Sequence, residues 1–381
     1  MTQAPIKNRF NLPEWSGAFG DLGTLIPFLA AYISVLHMDP NGILTAFGAS
    51  LIAIGWIYKT PFPVQPMKAI GATSVSQAAI AGGLTSAVVV SASLMTGVIW
   101  LILGLTGLAS KVAKWVPKSA LLGVILGLGF ILMIEGVKMM SSSLWIAAPL
   151  LLLTLFLLSR PKIPAMLVLL FIGGVIALIQ QPELANQLRG LEISPALPSF
   201  AWSSLTATDL ISGLVLLTLP QLPLTFGNAY LSITEENNKL FPDRLVTQKS
   251  VALSTSAMNF LSSTLGGVPM CHGAGGMAGH VMFGARTGGS PIILGSVLLL
   301  LGVFFSNSIS TILSLFPACV LGIILFFAGL QLALSSRDES GEKVDRFIVL
   351  ATAGIAMWNV GIAILFGILI HYTNKRGWIR L

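Results

Sequence analysis

Three stretches of the chain contain no Asp, Glu, Lys or Arg: residues 69–110, 250–285 and 287–336. Each exceeds the ~20 residues that an α-helix needs to cross a lipid bilayer. Only 9% of all residues are charged, against about 25% in ordinary soluble domains. We therefore predict an all-α polytopic protein whose surroundings are a lipid bilayer.

Apolar runs between polar breaks predict about fourteen transmembrane segments, several of them too short to cross as regular helices. Seven lie in residues 1–181, a polar extracytoplasmic linker occupies 182–208, and seven more lie in 209–381. The expected segments are 16–36, 42–58, 66–80, 86–108, 117–138, 143–159 and 163–181, then 209–231, 247–264, 272–283, 290–306, 316–335, 345–357 and 359–373.

The distribution of positive charge orients this arrangement, because cytoplasmic loops of membrane proteins collect Lys and Arg. With the N-terminus inside, 18 of the 21 Lys and Arg residues fall on the cytoplasmic side. Lys138 and Arg189 fall outside, and Lys68 lies within the membrane. We therefore expect both termini in the cytoplasm and the protein in the inner (plasma) membrane. The net charge of +7 follows from this topology, so no nucleic-acid partner is expected.

The two halves of the chain resemble each other at a shift of about 200 residues. Residues 117–126 match 317–325 with one deletion, and Pro66-Met67 matches Pro269-Met270. An odd number of segments per half inverts the second repeat relative to the first. Inverted repeats whose helices are interrupted at corresponding places are typical of secondary transporters, and the interruptions indicate the binding site.

The two interruptions predict half-helices at segments 3 and 10. Three prolines in residues 61–66 favour an extended chain, followed by a helix that begins after Pro66 and carries Lys68 in its first turn. The glycine-rich stretch 266–279 is its counterpart in the second repeat. Each helix N-terminus carries roughly +0.5 charge, so two of them with Lys68 give roughly +2, which balances a dianion.

Candidate substrate-binding residues follow from these interruptions and from polar positions on segments 1 and 8. They are Thr24, Gln65, Pro66, Met67, Lys68, Ala69, Gln221, Cys271, His272, Gly273, Ala274 and Gly275. Thr225 and Asn228 are weaker candidates, because hydrogen bonds between helices explain them equally well. No metal site and no cofactor are expected.

Three of these assignments have structural alternatives. The glycine-rich stretch also suits close helix packing. Lys68 could form a structural ion pair, although a charge near the bilayer midplane usually marks function. His272 could be a hydrogen-bonded core residue or a group that titrates near neutral pH.

Several motifs resemble one known family. The stretches 63–69, 220–225, 271–276 and 283–288, with the similar start at 20–24, resemble the molybdate-transporter branch of the sulfate permease superfamily. The resemblance implies a uracil-permease-like fold, with a core of segments 1–4 and 8–11 and a gate of segments 5–7 and 12–14. The chain ends at Leu381, so no cytoplasmic regulatory domain of the kind found in many sulfate permeases is expected.

The function expected from the residues and the resemblance together is secondary active import of a tetrahedral oxyanion, molybdate before sulfate. Proton symport is expected, with His272 and Asp21 as coupling candidates. A nucleobase permease of the same fold, an anion channel, and an intramembrane hydrolase that uses Cys271 and His272 are the alternatives. We expect no enzymatic activity and allow for a homodimer.

Overall fold

The computed structural model describes residues 7–78, 84–160, 163–336 and 342–379. The helices of the first half are α1 (Leu12–Ala18), α2 (Leu22–Ser34), α3 (Pro40–Tyr58), α4 (Lys68–Ala78), α5 (Ser86–Thr106), α6 (Leu108–Ala113), α7 (Lys118–Met140), α8 (Leu144–Leu158), α9 (Ala165–Gln180) and α10 (Glu183–Arg189). Those of the second half are α11 (Ala207–Ser212), α12 (Leu219–Phe226), α13 (Ile233–Leu240), α14 (Gln248–Thr264), α15 (Ala274–Met282), α16 (Gly289–Phe305), α17 (Ile309–Leu313), α18 (Ala318–Ser335), α19 (Lys343–Ala356) and α20 (Val360–Lys375).

Each of the fourteen segments predicted from the sequence coincides with a helix or a run of helices. The first is the pair α1 and α2, bent by 43°, and the eighth is a run from α11 to α13 with π-helical turns between its parts. Residues 79 and 80, the end of the predicted third segment, lie outside the described residues. Among the described helices, five are long and apolar enough to cross a membrane, or seven if each bent pair is one span. The number of crossings therefore stays a prediction.

Local chemistry explains where the helices begin and end. The Asp39 side chain accepts a hydrogen bond from the Asn41 backbone N–H at 2.9 Å and so caps α3. The Thr85 side chain caps α5 in the same way. Pro117 and Pro317 occupy the position just before α7 and α18, in matching places of the two halves. The same local sequence thus starts the same helix twice.

Helices of the two halves pack against each other in equivalent pairs. The fifth and twelfth predicted segments, α7 and α18, pack together. The second and eleventh, α3 and α16, form another pair, and their repeat equivalents, α14 and α5, form a third. Here α14 corresponds to α3 and α5 corresponds to α16, so the same contact occurs twice. A two-fold relation between the halves produces this pattern, which fits the expected repeat. The division into core and gate stays a prediction.

The described part of the chain departs from a purely helical fold at one place. Strands β1 (Gln65–Pro66) and β2 (Met270–Cys271) form an antiparallel pair, with Gln65 opposite Cys271 and Pro66 opposite Met270. These are the extended segments that precede α4 and α15. Their mutual pairing was not predicted, since the sequence indicated only an extended segment before α4 and an irregular approach to α15.

Candidate functional site

The strand pair brings the N-termini of α4 and α15 to one place. The Met67 backbone N–H donates to the Pro269 carbonyl at 2.9 Å, which continues the pairing to the residue just before α4. Asn259 of α14 fixes the other strand, because its side chain donates to the Met270 carbonyl at 2.7 Å and accepts from the Met270 N–H at 3.0 Å. The short antiparallel pair therefore holds two positive helix ends near each other, one following each strand.

Both helix ends line one cavity of about 270 Å³. Its polar lining comes from α4, α15 and the eighth segment, and its apolar lining comes from α7, α12 and α18. The lining residues are Lys68, Ala69, Leu128, Ile131, Leu132, Leu224, Asn228, Gly275 and Leu332. A tetrahedral oxyanion with four oxygens fills roughly 120 Å³ if each oxygen takes the ~30 Å³ of a water molecule. The cavity therefore has room for one such ion and a few waters.

Lys68 is the cation of this cavity. It begins α4 and is partly exposed toward the cavity. Within the described residues, neither a hydrogen bond nor a salt bridge to its ammonium group is found. Apolar neighbours lower the local dielectric constant and strengthen the attraction of this charge for an anion. Its electrostatic partner is the Asp21 carboxylate, which does not come within salt-bridge distance of the ammonium group.

Asp21, Thr24 and Gln65 form a buried network beside the cavity. The Gln65 amide nitrogen donates to Asp21 Oδ1 at 2.5 Å and to Thr24 Oγ1 at 2.9 Å, and the Thr24 hydroxyl donates to Asp21 Oδ1. The other carboxylate oxygen lies against α15: a Cβ atom at Gly276 would be 2.9 Å from Asp21 Oδ2. Glycine at 276 thus lets a carboxylate approach the first turn of the second half-helix.

Gln221 caps the first half-helix. Its carbonyl oxygen accepts from the backbone N–H groups of Ala69 at 2.9 Å and Ile70 at 3.2 Å, while its amide nitrogen donates to Thr225 Oγ1 at 3.0 Å. The sequence suggested that Gln221 and Thr225 donate to an oxyanion. In the structure the amide oxygen faces the helix instead, because the free N–H groups at a helix N-terminus require an acceptor.

Asn228 caps the second half-helix. Its carbonyl oxygen accepts from the Ala274 N–H at 3.1 Å, and the residue also lines the cavity. Sequence reasoning weighed it only as a weak candidate. The signal that could have identified it is its spacing of seven residues from Gln221, which is about two helical turns and places both amides on one side of the eighth segment.

The His272 side chain is buried and does not line the cavity. One ring nitrogen lies 2.8 Å from the Pro63 carbonyl and the other 2.8 Å from Ser254 Oγ. Phe62 packs edge-on against the ring, with the centroids 4.9 Å apart. A carbonyl only accepts, so the nitrogen facing Pro63 carries the proton, and the hydroxyl satisfies the other nitrogen of a neutral ring. This environment favours the structural alternative for His272.

The remaining predicted residues form the backbone around the site or leave room for its side chains. Pro66, Met67 and Cys271 are buried in or next to the strand pair. Gly273 precedes α15, where a Cβ atom would lie 1.7 Å from Gln65 Oε1, so a side chain at 273 would expel Gln65. No cluster of three or more His, Cys, Asp or Glu residues that could hold a metal ion occurs in the described parts of the chain.

The sequence matches one protein family in two blocks. The family is described as molybdate transporter of the MFS superfamily, and the matched residues are 13–132 and 213–332. Both ends of the second block are shifted by 200 residues from those of the first. The same family pattern therefore occurs twice in the chain, which supports the internal repeat.

Curated relatives cover nearly the whole chain. Molybdate transporter 2 of Arabidopsis thaliana is 32% identical over 93% of this chain and 85% of its own length. Molybdate transporter 1 of Chlamydomonas reinhardtii is 28% identical over 93% of this chain and 90% of its own length.

Solved structures share the fold. The transmembrane domain of the cyanobacterial bicarbonate transporter BicA superimposes with a TM-score of 0.56 at 18% identity, covering 94% of this chain and 99% of that domain. The murine anion transporter Slc26a9 in its inward-facing state superimposes with a TM-score of 0.62 at 12% identity, covering 98% of this chain and 70% of that protein. These likenesses establish a BicA-like, SLC26-like helical membrane fold.

Proposed function

The chain belongs to the molybdate-transporter family, and we propose that it imports molybdate across the membrane in symport with protons. As a member of a transporter family it is an integral membrane protein and not an enzyme. The alternative of an intramembrane hydrolase is therefore wrong. The inner (plasma) membrane, cytoplasmic termini and a homodimer stay predictions.

One observation carries the proposal: two half-helix N-termini and Lys68 converge on a single cavity that has room for a tetrahedral oxyanion. Backbone N–H groups at helix N-termini bind anions through hydrogen bonds and the helix dipole. Lys68 adds a full charge inside a largely apolar lining, where a cation that forms no salt bridge is costly. A dianion in the cavity would neutralise it.

Coupling follows from the membrane potential. Importing two negative charges against 100 mV, inside negative, costs ~4.6 kcal/mol before any concentration gradient, and two accompanying protons would remove this cost. We propose Asp21 as one proton-binding group, because its carboxylate lies beside the second half-helix, where its negative charge repels an incoming dianion. His272, the other candidate, is held by hydrogen bonds between Pro63 and Ser254 and does not line the cavity.

Uptake by the purified protein in liposomes tests the proposal. We expect molybdate to accumulate when an inward proton gradient is imposed, and tungstate to compete with it more strongly than sulfate or phosphate. Uptake that only equilibrates under the gradient would indicate a channel or uniport. A clear preference for sulfate in the competition would make sulfate the substrate.

A further inference from the structure

In this structure the protein's own amide oxygens occupy the N–H groups that an oxyanion would need. On α4 the Gln221 oxygen bridges two successive N–H groups, those of Ala69 and Ile70. One oxygen of an oxyanion at a helix N-terminus would be bound in the same way. On α15 the Asn228 oxygen binds the N–H of Ala274, the first residue of the helix.

Both capping amides come from one segment with unusual backbone geometry. The helical run that contains α12 has a π-helical stretch on each side, Gly213–Thr218 and Gly227–Ser232. In each stretch the last residue donates its hydroxyl to the carbonyl five residues earlier, Thr218 to Gly213 at 3.0 Å and Ser232 to Gly227 at 2.7 Å. Such π-helical turns interrupt the regular α-helical hydrogen bonding and often lie at functional sites.

Prolines explain why this segment departs from a regular helix. Pro220 and Pro223 lie on α12, and each lacks the N–H that would bond to the carbonyl four residues earlier. The part that carries Gln221 is therefore less tightly bound to the rest of the run than a regular helix would be. It can change its rotation without breaking a complete set of backbone hydrogen bonds.

We infer that Gln221 and Asn228 are internal caps that an incoming oxyanion displaces, so that they set the affinity of the site and couple its occupancy to the eighth segment. The inference rests on the proposed function. While the cavity contains no anion, the amide oxygens satisfy the helix N-termini. When an oxyanion binds those N–H groups, the two amides are released together and the eighth segment, which carries both of them, is free to move.

Removing a competing cap and removing a group that binds the anion directly change the affinity in opposite directions. If the Gln221 oxygen competes with the anion, removing it frees two N–H groups and tightens binding. If Gln221 instead donates to the anion, removing it weakens binding. A cap with a purely structural role would destabilise the empty and the loaded protein equally, and the affinity would not change.

The test is equilibrium binding of molybdate to the purified full-length protein. Gln221→Met keeps the side-chain length without the amide, and we expect its Kd to fall about threefold to tenfold, or ~0.7–1.4 kcal/mol. Its maximal uptake rate in liposomes should fall as well, since binding of the anion no longer displaces a cap from α4. Gln221→Glu keeps the cap and adds negative charge, so its Kd should rise more than tenfold.

Two further variants keep the test decisive if Gln221→Met folds poorly. Thr225→Val removes the hydroxyl that holds the Gln221 amide nitrogen and should lower the Kd by a smaller factor. Asn228→Leu should lower it at the second half-helix. The matched control is Asn359→Ala, which removes a side-chain cap that accepts from the Ile362 N–H at 3.0 Å on α20 and should leave the Kd unchanged.

The outcomes separate the two proposals. If the wild-type protein binds molybdate and Gln221→Met binds it equally or more weakly, the inference is wrong and the proposed function stands. If the wild type binds neither molybdate nor tungstate, sulfate or phosphate, the proposed function is wrong and the inference is lost with it.

Discussion

Replacing Asp21 with Asn is expected to tighten dianion binding and to abolish its dependence on pH. The substitution keeps the size of the side chain, and an amide oxygen can still accept the hydrogen bond from Thr24. What disappears is the negative charge beside the first turn of α15, where Asp21 Oδ2 lies 2.9 Å from the position of a Cβ at Gly276.

The size of the effect follows from the charges of the site. Lys68 and two helix ends supply roughly +2, and an ionised Asp21 reduces this to roughly +1. Gly275 lines the cavity next to Gly276, so we place a bound dianion on the order of 8 Å from the carboxylate. Coulomb's law with an effective dielectric constant of ~20 then gives a repulsion of ~4 kcal/mol as an upper value. We expect at least ~1.4 kcal/mol of it to appear in binding, which is a tenfold lower Kd.

The pH dependence has a defined sign. A protonated Asp21 removes the repulsion, so the wild type should bind the dianion more tightly as the pH falls. By linkage, the bound dianion should raise the proton affinity of Asp21 by the same factor. Asp21→Asn should bind tightly at every pH, and its uptake should no longer be driven by a proton gradient.

The assay is the Kd for molybdate across a pH series, with uptake into liposomes measured in parallel. Glu135→Gln serves as the control, because Glu135 is an exposed carboxylate that accepts from Lys138 at 2.7 Å and should not affect the site. An Asp21→Asn protein that folds and keeps the wild-type dependence of Kd on pH, or binds more weakly, would refute the reasoning.

Other substitutions test the remaining parts of the site. Lys68→Met should raise the Kd for molybdate more than tenfold, or ~1.4 kcal/mol, whereas Lys68→Arg should keep most of the affinity; equal loss in both would show that shape rather than charge matters. His272→Gln should lower the free energy of unfolding by ~1–3 kcal/mol, because one buried partner loses its hydrogen bond. Its uptake should still be stimulated by acid; loss of that stimulation would identify His272 as a coupling group. Gly276→Ala should overpack the site at a cost of ~1–3 kcal/mol and so lower the melting temperature. The control Gly354→Ala in α19, where a Cβ meets nothing within 4 Å, should leave the melting temperature unchanged.

Much of the architecture could be read from local sequence. The prolines in 61–66 exclude a regular helix, so the extended segment before α4 was predictable. The charge-free runs and their polar breaks fixed the places of the helices within a few residues. The two proline-initiated helices, α7 and α18, revealed the repeat. These features depend on backbone chemistry within a few residues, and a local pattern is sufficient to detect them.

The charged and polar residues of the site were also identifiable, but not their roles. The sequence indicated Lys68, Asp21, Gln65 and Gln221 as polar groups in apolar surroundings, where such groups are costly and usually functional. It could not indicate that the Gln221 oxygen faces α4 rather than the cavity. That orientation depends on a hydrogen bond to a residue 152 positions away in the chain.

Tertiary structure alone decided which groups meet. The antiparallel contact of Gln65 with Cys271, the tie from His272 to the Pro63 carbonyl and the approach of Asp21 to Gly276 all join the two halves of the chain. Each depends on the directions of side chains and on the relative placement of the two repeats. Periodicity and composition describe one segment at a time, so they determine what a segment can become and not which distant segment it will contact.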